Sequence, residues 1–245
     1  MGYVEFPNLP QKKVTAMILS PQYERVLADL KAMNIELIVT EKCDDVQDAV
    51  GFHADILCHH LGGDDIVVYP YSYSLNNSLK ELGMNVINST TRLSQKYPYD
   101  ISLNAARIGQ HLICNEKYTD KAILSGTTYE TILDVNQGYA KCSTLIVDER
   151  SIVTADHAIA IACQEAGFDV LMIMDGGIRL DGYAYGFIGG AGVKLSKSQI
   201  YFTGKLTSHS DGTKIREFIE ERNVEIIEGS VDYLIDIGSM IPIME

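Results

Sequence analysis

The sequence predicts an α/β (α+β) fold: a ring of five ββαβ units forming one domain over residues 1–245. Three observations carry this. Segments that read as hairpins begin at Phe52, Tyr99, Tyr139, Phe187 and Asp232, a spacing of roughly 45 residues, which is in the range of structural repeats. Four of them are followed by a helix and then a strand. The fifth has neither, while the chain opens with a helix and strand, Pro21 to Thr40, that belong to no hairpin. Four whole units, plus one split between a C-terminal ββ and an N-terminal αβ, account for the chain. A split of this kind pairs the two chain ends and leaves no strand edge open. The competing reading is a non-repetitive α+β fold in which hairpins and helices happen to alternate.

In order, Val14 to Leu19 reads as a short apolar strand. Pro21 to Met33 reads as a helix, with Ser20 as N-cap, Pro21 at its first position, and Val26, Leu27, Leu30 and Met33 on one face. Ile35 to Thr40 is a strand. Phe52 to Pro70 reads as strand, Gly62-Gly63-Asp64-Asp65 turn and strand. Ser74 to Leu82 is a helix stopped by Gly83, and Asn85 to Asn88 a strand. Tyr99 to Glu116 is the second hairpin, followed by a weak helix near Thr119 to Tyr129 and a strand, Thr131 to Val135. Tyr139 to Asp156 is the third hairpin, His157 to Ala166 its helix and Phe168 to Met174 its strand. Phe187 to Gly204 is the fourth hairpin, with helix Asp211 to Arg222 capped by Ser210 and strand Val224 to Ile227. Asp232 to Met244 is the fifth.

The chain carries a formal charge of −13, with 46% hydrophobic and 22% charged residues. That balance supports a sizeable core and argues against a nucleic-acid or anionic membrane surface. It suits a cationic small ligand better than an anionic one. Five cysteines form no C-x-x-C pair, and the N-terminus does not read as a signal peptide. A reducing cytoplasm with free thiols follows as the expectation. No apolar run reaches the about 18 residues of a membrane span.

The chemistry-bearing residues centre on the first hairpin. If Phe52 to His60 is a strand, His53, Asp55, Leu57 and His59 share a face, so an imidazole and a carboxylate stand together. His53 and Asp55 are either a site or a structural pair tying two units. A metal held by His53, Asp55 and His59 lacks a further ligand, and none is expected. Among the thiols Cys142 is the nucleophile candidate, because the adjacent Lys141 favours thiolate; its alternative is a small buried hydrophobe. Gly189 and Gly190 read as a close backbone approach rather than a phosphate loop. Arg179, Asp181, Tyr183 and Tyr185 lie in a loop that either covers the pocket or is plain surface.

A ring of five ββαβ units is the architecture of the penteins, the α/β-propeller superfamily. HADILCHHLGGDDIVVYP resembles the His-x-Asp hairpin of arginine deiminases and dimethylarginine dimethylaminohydrolases, and FIGGAGVKLSKSQIYFTG resembles their Glu-Gly-Gly-Asp hairpin. With QGYAKCS and GYAYGFIGGA, the chain as a whole is similar to a bacterial family of the guanidine-modifying-enzyme fold. The resemblance implies His53 as general acid/base, Asp55 as a grip on a guanidinium, and ligand contacts from Gly189 and Gly190. It departs where carboxylates are expected, at Ile188 and Ala191. It departs again where the nucleophilic cysteine is expected: the last hairpin reads IDIGSMIPI, with Gly238 and Ser239. The His-x-Asp hairpin is displaced as well, to the first complete unit; in a ring rotated by whole units, the unit after His53 offers Asn104 at its inner end, not a cysteine.

Two functions stay open. One is a hydrolase of guanidino or amidino C–N bonds, with His53, Asp55 and Cys142 catalytic and Asn104, Lys141, Gly189, Gly190 and Arg179 lining the ligand. The other is a non-catalytic pentein that binds a small polar ligand or a protein. A ribosome-associated factor is a third, disfavoured by the lack of basic surface. The expected ligand is a small molecule in the central channel. No cofactor is expected, and a homodimer is compatible with the sequence. The enzyme reading requires a cysteine sulfur within reach of His53 and Asp55.

Overall fold

A computed structural model describes residues 2–126 and 131–245. Its sheets are small and follow one plan. Cys58–Gly62 and Asp65–Val68 pair antiparallel, helix Tyr73–Glu81 follows, and Asn85–Asn88 returns parallel to the second strand. The plan recurs with Ala106–Ile108, His111–Cys114 and Thr131–Asp134. It recurs again with Leu145–Ile146, Ser151–Thr154 and Asp169–Met172, and with Gly192–Ser196, Gln199–Gly204 and Glu225–Val231. The fifth three-stranded sheet joins the chain ends: Ile241–Met244 pairs antiparallel with Ala16–Leu19, which pairs parallel with Glu36–Val39.

The ends therefore meet, but the division differs from the expected one. The N-terminal segment supplies β, α and β, and the C-terminal segment one strand. The other C-terminal strand, Leu234–Ile235, pairs in parallel with Ile178–Arg179 in a sixth, two-stranded sheet. Gly238 at φ +74° and Ser239 at φ +65° turn the chain between Ile235 and Ile241, and the two strands pair in different sheets rather than with each other.

The helices lie where the apolar spacing puts them, with their starts displaced. The first runs Glu24–Ala32, not from Pro21, because Ser20 Oγ accepts from Gln22 N in a local turn and caps no helix. The last runs Gly212–Glu220 and buries Ile215 and Ile219, one turn apart, against Ile200 and Phe202 of its sheet. Helix His157–Glu165 is capped by Asp156, which accepts from Ile159 N, and helix Lys121–Gly126 by Asp120, which accepts from Ala122 N. The weak helix near Thr119 is present as Lys121–Gly126, and the residues after it lie outside the described ones.

The largest departure is at the start of the hairpins. Ala54–Leu57, Ala140–Ser143 and Ile188–Ala191 are single helical turns that lead into the first strand of each unit. In the first, Ile56 N and Leu57 N both donate to the His53 carbonyl. His53, Asp55 and Cys142 are thus not strand residues, and the alternation that grouped His53 with His59 does not operate. A turn of four residues is too short to impose a 3.6-residue period on the sequence.

Candidate functional site

The helical turns bring together side chains far apart in sequence. Asp55 N donates to the Gly238 carbonyl at 3.1 Å, which docks the first turn on the C-terminal segment. A Cβ on Gly238 would overlap the His53 backbone and ring, so glycine is what permits that approach. Asn104 Oδ1 accepts from Lys141 N at 2.8 Å and Cys142 N at 3.4 Å, and its Nδ2 donates to Cys142 Sγ at 3.2 Å. Asn104 therefore holds the Cys142 turn and its sulfur.

At the centre, the Cys142 thiol donates to Asp55 Oδ2 at 2.9 Å. The Cys142 sulfur and donor atoms of His53 and Asp55 all lie within 4.8 Å of one another, and all three residues are buried. His53, Cys142 and Asp236 line a cavity of about 290 Å³, walled by Tyr139, Tyr183 and Tyr185. Asp236 is the residue that sequence reasoning missed. It is fully buried, accepting from Phe187 N and Gly238 N at 2.9 Å each. Its signal was an acid inside the apolar run Leu234 to Ile237.

Burial pushes the Cys142 thiol well above its ordinary value, and the negative charges of Asp55 and Asp236 push the same way. The resting sulfur is a neutral thiol. This corrects the expectation that Lys141 favours thiolate: its amine is turned to Gly189 O at 3.5 Å and Ser239 Oγ at 3.3 Å, and burial lowers its own pKa. Burial likewise raises Asp236, with Asp55 adding to the rise and His53 opposing it.

The expected ligand lining by Arg179, Gly189 and Gly190 changes, while the close backbone approach expected at the two glycines is present. Arg179 is exposed, paired with Asp181 at 2.8 Å and with Tyr233 Oη at 3.0 Å, and does not line the cavity. Gly189 and Gly190 are packing positions. A Cβ on Gly189 would meet the carbonyls of the Cys142 turn, and one on Gly190 the Asp236 carboxylate. His59 does not join His53 and Asp55; its Nε2 has no partner, and burial drives its pKa down to about 3. As a metal-donor set, His53, Asp55 and Cys142 offer nitrogen, oxygen and sulfur. Their Sγ–Oδ2 distance of 2.9 Å is shorter than the roughly 3.5 Å that zinc–sulfur and zinc–oxygen bonds impose at tetrahedral angles. The contact is that of a hydrogen bond.

The other cysteines, Cys43, Cys58, Cys114 and Cys163, are buried and line neither this cavity nor the larger one beside it. No helix of the described residues is long and apolar enough to cross a membrane.

Known structures share this fold. Inosamine-phosphate amidinotransferase of Streptomyces griseus aligns with a TM-score of 0.57 and 10% identity, over 99% of this chain and 96% of its own. Agmatine deiminase of C. jejuni aligns at 0.51 and 11% identity, over 93% and 91%. DDAH of Pseudomonas aeruginosa aligns at 0.51 and 13%, over 90% and 92%. All three are guanidino-modifying proteins of the pentein superfamily, and at these identities the likeness is one of fold. No curated protein matches the sequence. Residues 18–241 match the profile of one protein family over most of the chain, and the protein accordingly belongs to DUF6873, a family of unknown function.

Proposed function

We propose that the protein acts on the C–N bond of a guanidino or amidino group in a small cation, as a hydrolase or transferase. In this reading the five three-stranded sheets are blades of one domain around a central axis, and their inner ends make the site. Cys142 is the nucleophile, His53 the proton shuttle, and Asp55 and Asp236 the carboxylates that hold the cation. The observation that carries it is the Cys142–Asp55 contact of 2.9 Å, made by a sulfur that lines one cavity with His53 and Asp236.

The resting thiol must lose its proton before it attacks, and the site's own charges oppose that. A guanidinium seated against Asp55 and Asp236 supplies the missing positive charge, which favours the thiolate. The thiol gives its proton to His53, the sulfur adds to the central carbon, and the C–N bond breaks as the departing amine takes that proton from His53. A thiouronium on Cys142 remains. Water, or a second amine, adds to its carbon, gives one proton to His53, and expels the thiolate; the second water proton, or the His53 proton when an amine is the acceptor, restores the thiol. Protons and charge balance, and no external oxidant or reductant enters.

The second reading is a non-catalytic binder of a cation, and the raised pKa of Cys142 is the observation in its favour. Mass spectrometry of the intact protein after incubation with small alkylguanidines and amidines separates the two. The enzyme reading expects an adduct on Cys142, ammonia or amine release, and loss of both in Cys142→Ala. Cation binding with neither adduct nor release would leave only the binder.

A further inference from the structure

We propose that a second, larger cavity is the distal end of the same site and that it takes an ammonium. The substrate would then be a dication rather than a guanidino acid or a phosphorylated guanidine. This inference rests on the reading of the smaller cavity as a guanidinium site.

The larger cavity has a volume of about 500 Å³ and shares the Tyr185 and Phe187 walls with the smaller one. Consecutive residues also line the two. Cys142 lines one and Ser143 the other, and consecutive Cα atoms are about 3.8 Å apart. In this proposal a short alkyl chain leaving the sulfur runs past the Tyr185 and Phe187 side chains, which both cavities share, into the second cavity.

What it meets there is polar and acidic. Ser143 is buried, and its hydroxyl has no partner. A buried hydroxyl without a partner costs free energy that a bound donor would recover. Asp175 lines the mouth and is in no hydrogen bond or ion pair among the described residues. Asp156 also lines it, with one oxygen bonded to Ile159 N and the other to Gln137 Nε2. No lysine or arginine lines either cavity among the described residues. Arg179, the nearest candidate in the sequence, is occupied by Asp181 and Tyr233. The N-terminus of helix His157–Glu165 opens here, which is ordinarily a seat for anions. The Asp156 carboxylate already fills that role, and His157 is the one imidazole on the wall. A carboxylate or phosphate would thus lose water beside two carboxylates and gain no cation.

Calorimetry on Cys142→Ala protein tests this with three probes of one chain length: an alkylguanidinium ending in a methyl, in an ammonium and in a carboxylate. The ammonium-ended probe is expected to bind at least tenfold tighter than the methyl-ended one, with a gain that shrinks as salt is added. The carboxylate-ended probe is expected to bind at least tenfold weaker. Asp175→Asn, an exposed change that spares the core, should remove most of the ammonium gain and leave the methyl-ended probe unaffected. Equal binding of all three probes, or a preference for the carboxylate, overturns the inference while the guanidinium reading stands. If no guanidinium-headed probe binds, the smaller cavity is misread and the inference falls with it. Thermal-shift measurements on the unmodified protein guard against misfolding of the Cys142→Ala variant.

Discussion

Asp55→Asn should make Cys142 more reactive, not less. In the native protein Asp55 Oδ2 accepts the thiol proton at 2.9 Å. Asp55 is also the first cause, after burial, that holds the thiol in its neutral form. A hydrogen bond with a charged partner is worth about 1.5–3 kcal/mol. A tenfold change in an ionisation constant is about 1.4 kcal/mol. Asparagine removes the charge, keeps the shape, and can turn an N–H toward the sulfur as Asn104 Nδ2 already does. The thiolate population, and with it the alkylation rate at fixed pH, should rise roughly ten- to a hundredfold. The assay is iodoacetamide modification of Cys142 followed by peptide mass spectrometry, with Cys142→Ala as the blank. Burial remains in the variant, so its rate should still climb through alkaline pH. Equal or slower labelling of Asp55→Asn, with melting behaviour retained, would refute the claim that the carboxylate keeps the proton on sulfur.

Two stability predictions follow from the same buried centre. Gly190→Ala should cost about 3 kcal/mol or more, because the new methyl overlaps the Asp236 carboxylate and breaks its bonds to Phe187 N and Gly238 N. Adding Asp236→Gly should restore part of the loss in urea denaturation, and undiminished stability of Gly190→Ala alone would contradict the packing. For pH, burial lowers His59 to about 3 and His60 to about 4 from 6.5. Both pKa values are depressed on folding, so the unfolded chain binds the extra protons. The stability they contribute is present above pH 6.5 and is lost as pH falls toward their folded values. At about 1.4 kcal/mol per pKa unit the loss is several kcal/mol. His59→Gln and His60→Gln should flatten that slope, and slopes equal to wild type would count against buried neutral imidazoles.

The repeat was legible because each unit spends its period on elements long enough to record it. Helices of nine residues such as Tyr73–Glu81 and His157–Glu165 carry apolar spacing, and β-branched strands such as Asp65–Val68 carry theirs. The inner ends were not legible. Ala54–Leu57 and Ala140–Ser143 span four residues each, and Ala-Asp-Ile-Leu alternates as well as a strand does. His53 and Asp55 were chosen on a strand face that does not exist, yet they do meet, because the helical turn and the Gly238 carbonyl fold them toward Cys142. Lys141 stands beside Cys142 in the sequence, yet its amine points elsewhere. Asp236 stands two residues before Gly238 and three before Ser239, where the resemblance implies a cysteine, and its only local mark is the apolar run around it. Its role is set by contacts with Phe187 and Gly190, which lie far from it in the chain.

The charge balance at this centre bears on whether it is a site or a scaffold. Burying a carboxylate costs several kcal/mol unless it is paired, and structural carboxylates in cores are normally held by a cation or a full set of donors. Here Asp236 has two backbone donors, and Asp55 has a thiol on one oxygen and nothing on the other. Lys141 is buried among them, yet no salt bridge joins it to either carboxylate among the described residues, and its closest partners are a hydroxyl and a carbonyl. A core built only for stability gains from closing such pairs. Keeping two carboxylates incompletely paired, one on the wall of a cavity and the other bonded to the thiol that lines it, stabilises the protein only once a cation arrives. A planar cation with several N–H donors satisfies both carboxylates at once. The same cation offsets the two charges that, after burial, hold Cys142 protonated, so in the proposed reaction one binding event would both complete the electrostatics and favour the thiolate.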